Sequence, residues 1–331
     1  MTQTNEALLY KEDCVFDPLM VSSVRFHQCA EKGSESWYDC NKYSPSPEID
    51  RDQNFIGDIG QSSKYDFKRS IQMKPTALVF FDLDGTLLND ESLVDEEVKE
   101  ALVQLKAKGA VPFIATGRSP LEIQHVLEET VIDSFITLNG QYIQYEGKEV
   151  YRNVIPKSLV DLLKQMMNEK KLPLSLYSTD KIRTTRYSET LKKAYNFIHE
   201  NPPEIDSTLG EKEEILMMLV VNEDPFLDHE FIDTFPELSF YRNAPYSMDT
   251  ITKGHSKATG IDALLKAIEM ENVPLYAFGD GPNDKEMLER ADYSVVMDNG
   301  IDDVKEAADY ITSSNTDGGI VEGLKRYKLI D

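Results

Sequence analysis

The segment FFDLDGTLL, residues 80–88, is the most informative part of this chain. Residues 77–81 form an unbroken apolar run, which predicts a strand buried on both faces of a parallel sheet. Asp82 and Asp84 follow at the carboxyl end of this strand, where burying a charge is too costly to be incidental. Ligands of open α/β sheets bind beyond the carboxyl ends of the strands, so both aspartates are expected to face a binding crevice.

A second segment, FGDGPND at residues 278–284, repeats this arrangement of an apolar strand, acidic residues and a following helix. Several carboxylates in one crevice are stable only around a cation, and hard oxygen ligands with room for water favour Mg²⁺. Asp280 is the expected metal ligand, with Asn283 and Asp284 supporting it. A solvated turn or a calcium loop would explain the first segment alone. An ordinary Asn-Asp turn capping a helix would explain Asn283, but not the pairing of Asp280 with Asp82.

Two further segments predict contacts with a phosphate group. ATGR at residues 115–118 follows a predicted strand and precedes SPLE at 119–122, which has the pattern of a capping box at the start of a helix. The Thr116 hydroxyl, backbone N–H groups and the helix dipole can hold phosphate there. Lys257 precedes another helix and supplies positive charge beside an anionic phosphorus, although alone it would be interpreted as a surface lysine.

The order of predicted elements indicates two α/β units, one inserted into the other. Strands and helices alternate from about residue 74 to 155, a second α/β pattern follows, and alternation resumes after Met248. We therefore predict an α/β fold with a Rossmann-like parallel-sheet core, residues 73–155 and 247–331. The inserted α/β cap domain is predicted at residues 156–246.

The combined motifs resemble the haloacid dehalogenase-like phosphatases, whose DxDGT, Thr-Gly, lysine and GDxxND elements occur here in the same order. The resemblance spans roughly residues 75–331. The long insertion before Lys257 is similar to the Cof-type subgroup, as are LNG at 138–140, MDNG at 297–300 and TDGG at 316–319. The MDNG segment departs from the more usual Asn-Ala pattern of that subgroup.

This resemblance implies a mechanism and a set of site residues. Asp82 would attack phosphorus, and Asp84 would protonate the leaving alcohol and then activate water to hydrolyse the aspartyl phosphate. Mg²⁺ would lie between Asp82, the backbone carbonyl of Asp84, and Asp280, with Asp284 behind them. The implied phosphate-binding residues are Thr116, Gly117, Lys257 and Asn283.

The resemblance to the Cof-type subgroup implies a small phosphorylated metabolite as partner, such as a sugar phosphate or a phosphorylated cofactor, and composition and charge disfavour other partners. The 331-residue chain has a formal net charge of −24 and no Lys/Arg-rich run, which disfavours nucleic acid and anionic membranes. No apolar stretch reaches the ~20 residues that a membrane span needs, and the N-terminus lacks a secretory pattern. We expect a cytoplasmic enzyme.

Residues 1–72 differ from the remainder of the chain. They contain all three cysteines, Cys14, Cys29 and Cys40, and show no helical or alternating apolar period. The odd number and wide spacing of the cysteines disfavour a disulfide framework or a zinc site. We predict an irregular, nonessential extension or a misplaced start codon, because relatives of this type commonly begin near Met73. A disordered regulatory tail or a small accessory domain is the alternative.

Two other functions remain open from the sequence. A phosphomutase of the phosphomannomutase type needs a second cationic cluster in the cap, whereas a non-catalytic phospho-ligand-binding protein would keep the fold without turnover. The candidate cations for a mutase are Arg152, Lys181, Arg183, Arg186 and Arg242. Tyr177, Arg183 and Tyr187 are candidate substrate contacts, and no motif identifies the substrate itself.

Overall fold

The computed structural model describes residues 26–31, 34–39 and 74–331, and the chain divides into two units between Ser70 and Ile71. In the first unit, strands β1 (Phe26–Glu31) and β2 (Ser34–Asp39) form an antiparallel hairpin. The sequence analysis does not predict this hairpin, because FHQCAE and SESWYD lack apolar alternation. Cys14 and Cys40 lie outside the described residues, and a nonessential role for residues 1–72 stays a prediction.

The second unit contains the remaining described strands and helices. Its strands are β3 Leu78–Phe81, β4 Val111–Ala115, β5 Phe135–Thr137, β6 Tyr142–Tyr145, β7 Lys148–Arg152, β8 Leu174–Tyr177, β9 Ile182–Thr184, β10 Met217–Val221, β11 Leu238–Ala244, β12 Ser247–Thr252, β13 Leu275–Gly279, β14 Tyr293–Val296 and β15 Tyr310–Ile311. Its helices are α1 Glu96–Ala107, α2 Gln124–Glu129, α3 Lys157–Glu169, α4 Glu189–Phe197, α5 Leu209–Lys212, α6 Asp228–Thr234, α7 Lys257–Ile268, α8 Lys285–Arg290, α9 Asp302–Lys305 and α10 Gly319–Arg326. Across the described ranges, no helix is both long and apolar enough to cross a membrane.

Eight strands form the larger sheet, in the order β15-β14-β13-β3-β4-β5-β6-β7. The first six are parallel, and β6 and β7 are antiparallel at one edge. β3 is buried on both faces, because Phe80 packs on Phe113 and Phe81 packs on Phe278, each pair with ring centroids 4.9 Å apart. The fold is therefore α/β with a Rossmann-like core, and the carboxyl ends of β3, β4 and β13 meet at one edge.

The segment between β7 and α7 forms a smaller sheet of five antiparallel strands, in the order β11-β12-β10-β8-β9. This cap has its own core, in which Leu176, Met218 and Phe231 are fully buried. The smaller sheet extends past Tyr246, where the sequence analysis ends the cap, since β12 pairs with both β10 and β11. Because β11 and β12 form a hairpin, the strand after the turn belongs to the cap sheet rather than to the core sheet.

Candidate active site

Asp82 lies just beyond β3 and is almost completely buried. Its Oδ1 is 2.5 Å from the Nζ of Lys257, the first residue of α7, which has no exposed surface. Ser256 begins this helix with a capping box, in which Ser256 and Thr259 exchange hydrogen bonds between side chain and backbone. The start of α7 therefore places the lysine beside the aspartate.

Lys257 also contacts Asp284, whose Oδ1 is 2.7 Å from the Nζ. The Oδ2 of Asp284 accepts hydrogen bonds from the backbone N–H groups of Asp280 and Gly281, at 3.0 and 2.9 Å. Both oxygens of Asp284 are thus engaged, and its carboxylate orders the loop after β13. Burial lowers the pKa of Lys257, but Asp284 and Asp82 together outweigh burial and raise it, so the lysine remains a cation at neutral pH.

Asp280 follows β13 and faces the loop after β3. Its Oδ1 accepts a hydrogen bond from the Thr86 hydroxyl at 2.7 Å. Gly85 has φ +81°, and a Cβ there would lie 2.4 Å from the Asp280 Oδ2, so both conformation and space require glycine. Burial raises the pKa of Asp280 to about 6. Burial, and then the charge of Asp284, raises the pKa of Asp82 well above its usual range.

Within the described part of the chain, Asp82, Asp280 and Asp284 form the one acidic group with the spacing of a metal site, since one oxygen from each lies within 4.8 Å of the others. Both oxygens of Asp284 are already bound, so Asp82 and Asp280 are the better ligands. A hard divalent cation fits this all-oxygen donor set. It would also relieve the repulsion that raises the pKa of Asp82.

The side chain of Asp84 does not join this acidic group. It is half exposed and pairs with Arg118, whose Nε and Nη2 donate to its two oxygens at 2.9 and 2.5 Å. Arg118 is buried, and its Nη2 also donates to the carbonyl of Ile198 in the cap, at 3.4 Å. This contact involves the side chain of Asp84, whereas the predicted metal ligand is its backbone carbonyl, so the two roles are compatible.

The loop after β4 carries Thr116 and Gly117, and both residues line a cavity that Asp82 also lines. The Thr116 hydroxyl accepts a hydrogen bond from the Arg118 N–H at 3.1 Å, which tightens the turn. A Cβ at Gly117 would lie 2.8 Å from the Oδ2 of Asp249 in β12, so a larger residue would force Asp249 to shift where the cap approaches this loop. Asn283 reaches the same cavity from the loop after β13.

The capping box predicted at Ser119 is present, but the helix starts later than expected. The Ser119 N–H donates to the Glu122 carboxylate at 2.8 Å, and the Glu122 N–H donates to the Ser119 hydroxyl at 3.4 Å. Residues 120–123 form turns, and α2 begins only at Gln124. Glu122 lines the cavity, and burial raises its pKa to about 7 despite the hydrogen bonds from Ser119.

The cavity has a volume of about 530 Å³ and is lined by residues of both the core and the cap. On the cap side, the hydroxyls of Tyr177 and Tyr195 are hydrogen-bonded at 2.8 Å, and His199 lies nearby in the lining. Of the three candidate substrate contacts, Tyr177 lines the cavity, whereas Arg183 and Tyr187 do not. This cavity volume is large enough for a small phosphorylated metabolite.

Four residues of this region have no role in the sequence analysis. Arg118 and Glu122 belong to quoted motifs, but a single charged residue beside a Thr-Gly pair or in a capping box has no distinguishing pattern. Asn139 lies in the LNG segment, which indicates only a family resemblance. Asp249 lies in a cap strand without a motif, and its approach to the core depends on the tertiary fold.

The haloacid dehalogenase-like hydrolase family matches residues 79–324. The "Putative phosphatase YkrA" of Bacillus subtilis is 31% identical over 254 residues, or 76% of this chain and 98% of that protein. The 5-amino-6-(5-phospho-D-ribitylamino)uracil phosphatase YcsE of Bacillus subtilis is 27% identical over 258 residues, covering 76% of this chain and 96% of that protein. A solved HAD subclass IIB sugar phosphatase is 31% identical with a TM-score of 0.70, covering 77% of this chain and all (100%) of that chain.

Proposed function

Because this chain belongs to the haloacid dehalogenase-like hydrolase family and is a phosphatase, we propose that it hydrolyses a small phosphate monoester through an aspartyl phosphate on Asp82, with Mg²⁺ as cofactor. The observation that carries this proposal is the environment of Asp82. The carboxylate lines a cavity at the carboxyl edge of the sheet, in contact with the ammonium of Lys257. Such a carboxylate can approach an anionic phosphorus, because the adjacent cation offsets the repulsion.

The two chemical steps use Asp82 and Asp84. In the first, a carboxylate oxygen of Asp82 bonds to phosphorus, the ester P–O bond breaks, and Asp84 gives its proton to the leaving oxygen. In the second, Asp84 takes a proton from water, the water oxygen bonds to phosphorus, and the acyl phosphate bond breaks to release phosphate. For these transfers one oxygen of Asp84 gives up its hydrogen bond to Arg118, while the other oxygen keeps its contact with the guanidinium.

The proposed metal ligands are Asp82, Asp280 and the backbone carbonyl of Asp84, with Asp284 holding the loop and the lysine in place. Bound Mg²⁺ would neutralise charge between the nucleophile and the phosphate oxygens. The proposed phosphate site consists of Thr116, Gly117, Lys257 and Asn283. Positioning and electrostatic stabilisation dominate phosphoryl transfer, so these contacts account for most of the expected rate enhancement.

We further propose that the substrate carries one phosphate and a neutral or cationic leaving group. Away from the metal site, the described cavity lining includes the acids Asp90, Glu122 and Asp249. Arg118 is the one lysine or arginine among these lining residues, and Asp84 already occupies its guanidinium. A second anionic group would therefore enter a negative field with no cation to receive it.

The cations that a phosphomutase would need are paired outside the cavity. Their partners are Glu149 and Glu214 for Arg152, Glu213 for Lys181, Glu204 for Arg183, the side chain of Asn168 for Arg186, and Asp228 for Arg242. None of the five belongs to the described cavity lining. A mutase must hold a bisphosphate in two orientations, so we favour hydrolysis. The cytoplasmic location expected from the sequence stays a prediction.

Phosphate release from paired substrates tests this proposal. With Mg²⁺, we expect turnover of fructose 6-phosphate and at least about tenfold lower kcat/KM for fructose 1,6-bisphosphate, because the added phosphate meets the acidic lining. Equal kcat/KM values would contradict the charge preference alone. Absence of release from every ester in a broad panel would overturn the phosphatase proposal, and conversion of glucose 1-phosphate to glucose 6-phosphate without release would support the mutase.

A further inference from the structure

The LNG segment, residues 138–140, forms an unusual buried turn directly after β5. Leu138, Asn139 and Gly140 all have positive φ, at +54°, +52° and +93°. All three residues are buried, with Leu138 0% and Asn139 2% exposed. Asparagine and glycine adopt this conformation readily, but leucine does so only at a cost. A strained turn that persists in the interior is held by its surroundings, which makes those contacts informative.

The backbone of this turn supports the loop that carries two residues of the phosphate site. The N–H of Asn139 donates to the carbonyl of Thr116 at 3.1 Å, and the N–H of Leu138 donates to the carbonyl of Arg118 at 3.0 Å. The turn therefore sets the position of Thr116 and Gly117.

The same turn contacts the helix that carries Lys257. A Cβ at Gly140 would lie 2.2 Å from the carbonyl oxygen of Ser256, the residue that caps α7. The backbone of the turn thus packs directly on the first turn of this helix, and only glycine permits that distance. This contact supports the start of α7, where Lys257 contacts Asp82.

The side chain of Asn139 completes the arrangement. Its Oδ1 accepts a hydrogen bond from the amide of Asn283 at 3.3 Å, and its Nδ2 donates to the Oδ2 of Asp249 at 2.9 Å. Asn139 is 2% exposed, so its side-chain amide bridges the loop after β13 and the cap strand β12 with little access to water. One asparagine therefore contacts both a proposed phosphate ligand and the cap.

We propose that Asn139 is a positioning residue that aligns the phosphate site and couples it to the seating of the cap through Asp249. Its amide orients Asn283, and its backbone orders the Thr116 loop. Its side-chain N–H donates to the Asp249 carboxylate only when β12 lies against Gly117. This inference rests on the proposed function for the meaning of the phosphate site. In the contacts described, the side chain of Asn139 acts through Asn283 and Asp249 and does not contact Asp82.

Inorganic phosphate is the probe, because it has no leaving group and its affinity reports the phosphate site alone. The full chain with Mg²⁺ is titrated by calorimetry, and kcat and KM are measured for fructose 6-phosphate in parallel. Asn139→Gly removes the side chain without straining the backbone at φ +52°. We expect about tenfold weaker phosphate binding, since two buried hydrogen bonds are lost.

Exchanging the charge between positions 139 and 249 distinguishes a loss of alignment in the phosphate site from a general loss of stability. Asn139→Asp alone places two carboxylates in contact at the 2.9 Å junction, removes the donor and should weaken phosphate binding more than Asn139→Gly. In the double variant Asn139→Asp/Asp249→Asn, the amide at position 249 donates to the carboxylate at 139, which still accepts from Asn283. We expect the double variant to bind phosphate within about threefold of the parent.

Asn153 offers a matched control. Its amide also joins core and cap, donating to Gln141 Oε1 at 2.7 Å and to the hydroxyl of Thr252 in β12 at 2.6 Å, but it contacts no residue of the phosphate site. Asn153→Gly should lower the melting temperature while leaving phosphate affinity within about twofold of the parent.

The inference is overturned if Asn139→Gly binds phosphate as the parent does, if Asn153→Gly weakens binding equally, or if the double variant is no better than Asn139→Asp. If Asn139→Asp does not fold, Asn139→Gly and the double variant still decide the outcome. A parent that binds phosphate but hydrolyses no ester would refute the proposed function, while the affinities would still test Asn139.

Discussion

Two groups of charges in this molecule differ in how they are balanced. In the core, one buried lysine, Lys257, pairs with Asp82 and Asp284, and a third acid, Asp280, lies beside them, so negative charge is left uncompensated. In the cap, Arg183 forms an ion pair with Glu204 at the surface, so one positive charge is balanced by one negative charge. An uncompensated buried charge costs on the order of several kcal/mol, whereas an exposed pair contributes about 0–1 kcal/mol. Only the core group therefore indicates a ligand.

The largest expected effect comes from removing the core nucleophile. Asp82→Asn should leave less than about one per cent of the phosphatase activity, because an amide is a poor nucleophile and a weaker metal ligand. The fold should survive, since the substitution also relieves repulsion among the three acids. Activity and the melting temperature are measured together, with mass spectrometry to exclude deamidation.

The cap pair supplies the control for that substitution. Arg183→Gln removes one charge from an exposed ion pair outside the described cavity lining, so kcat/KM should stay within about twofold of the parent. If Arg183→Gln were as damaging as Asp82→Asn, the contrast between the two groups would be lost, and the cap cations would have to be reconsidered as phosphate ligands.

The next effect concerns the cation that the core acids imply. EDTA should abolish phosphate release and Mg²⁺ should restore it, whereas Ca²⁺ should bind without supporting turnover because its larger, looser coordination spoils the geometry of transfer. Rates with each ion are compared at saturating substrate. Equal turnover with Ca²⁺ and Mg²⁺ would contradict the proposed role of Asp82 and Asp280 as ligands.

A smaller effect concerns Glu122, a buried acid with a different environment. Its pKa is raised from 4.5 to about 7, and the charged or titratable groups around it are Arg118, Glu200, Tyr177 and Tyr195. The unfolded chain gives up this proton at lower pH than the folded protein does. The free energy of unfolding therefore falls as the pH rises through this window.

Glu122→Gln removes this ionisation and keeps an acceptor for the Ser119 N–H. Relative to the parent, the variant should gain about 2 kcal/mol in the free energy of unfolding between pH 5 and pH 8. Urea titrations at both pH values measure the difference. A stability difference independent of pH would show that the Glu122 carboxyl does not titrate in that range.

The smallest expected effect follows removal of the first unit. A chain of residues 73–331 should keep kcat/KM within about twofold of the full chain, because the family match begins at residue 79 and the described site residues all follow it. Turnover and the melting temperature of both chains are compared. Loss of folding or of most activity would show that residues 1–72 belong to the working enzyme.

Much of the core was predictable, because its strands are continuous apolar runs. β3 lies within the apolar run 77–81 from which a buried strand is predicted, and the order of elements predicts the inserted cap. Local patterns did not predict β12 as a cap strand or the late start of α2, because hairpin pairing and turn geometry decided those positions. The β1–β2 hairpin lacks apolar alternation and was not predicted either.

The candidate site also combines contacts that the sequence predicts with contacts that only the folded structure reveals. The meeting of Asp82 with Asp280 could be predicted, because the carboxyl ends of neighbouring parallel strands converge. The contact of Asn139 with Asp249 could not, since 110 residues separate them and only the folded cap brings them together. Likewise, no local pattern shows that the side chain of Asp84 turns towards Arg118.

The central claim is the covalent phosphate on Asp82, and trapping that intermediate tests it most directly. The full chain with Mg²⁺ is mixed with substrate, quenched in acid during turnover and reduced with borohydride, which converts an aspartyl phosphate to homoserine. Peptide mass spectrometry should find homoserine at position 82, dependent on substrate, and aspartate unchanged at positions 84 and 280. Phosphate release without modification at position 82, or modification at another aspartate, would contradict the account.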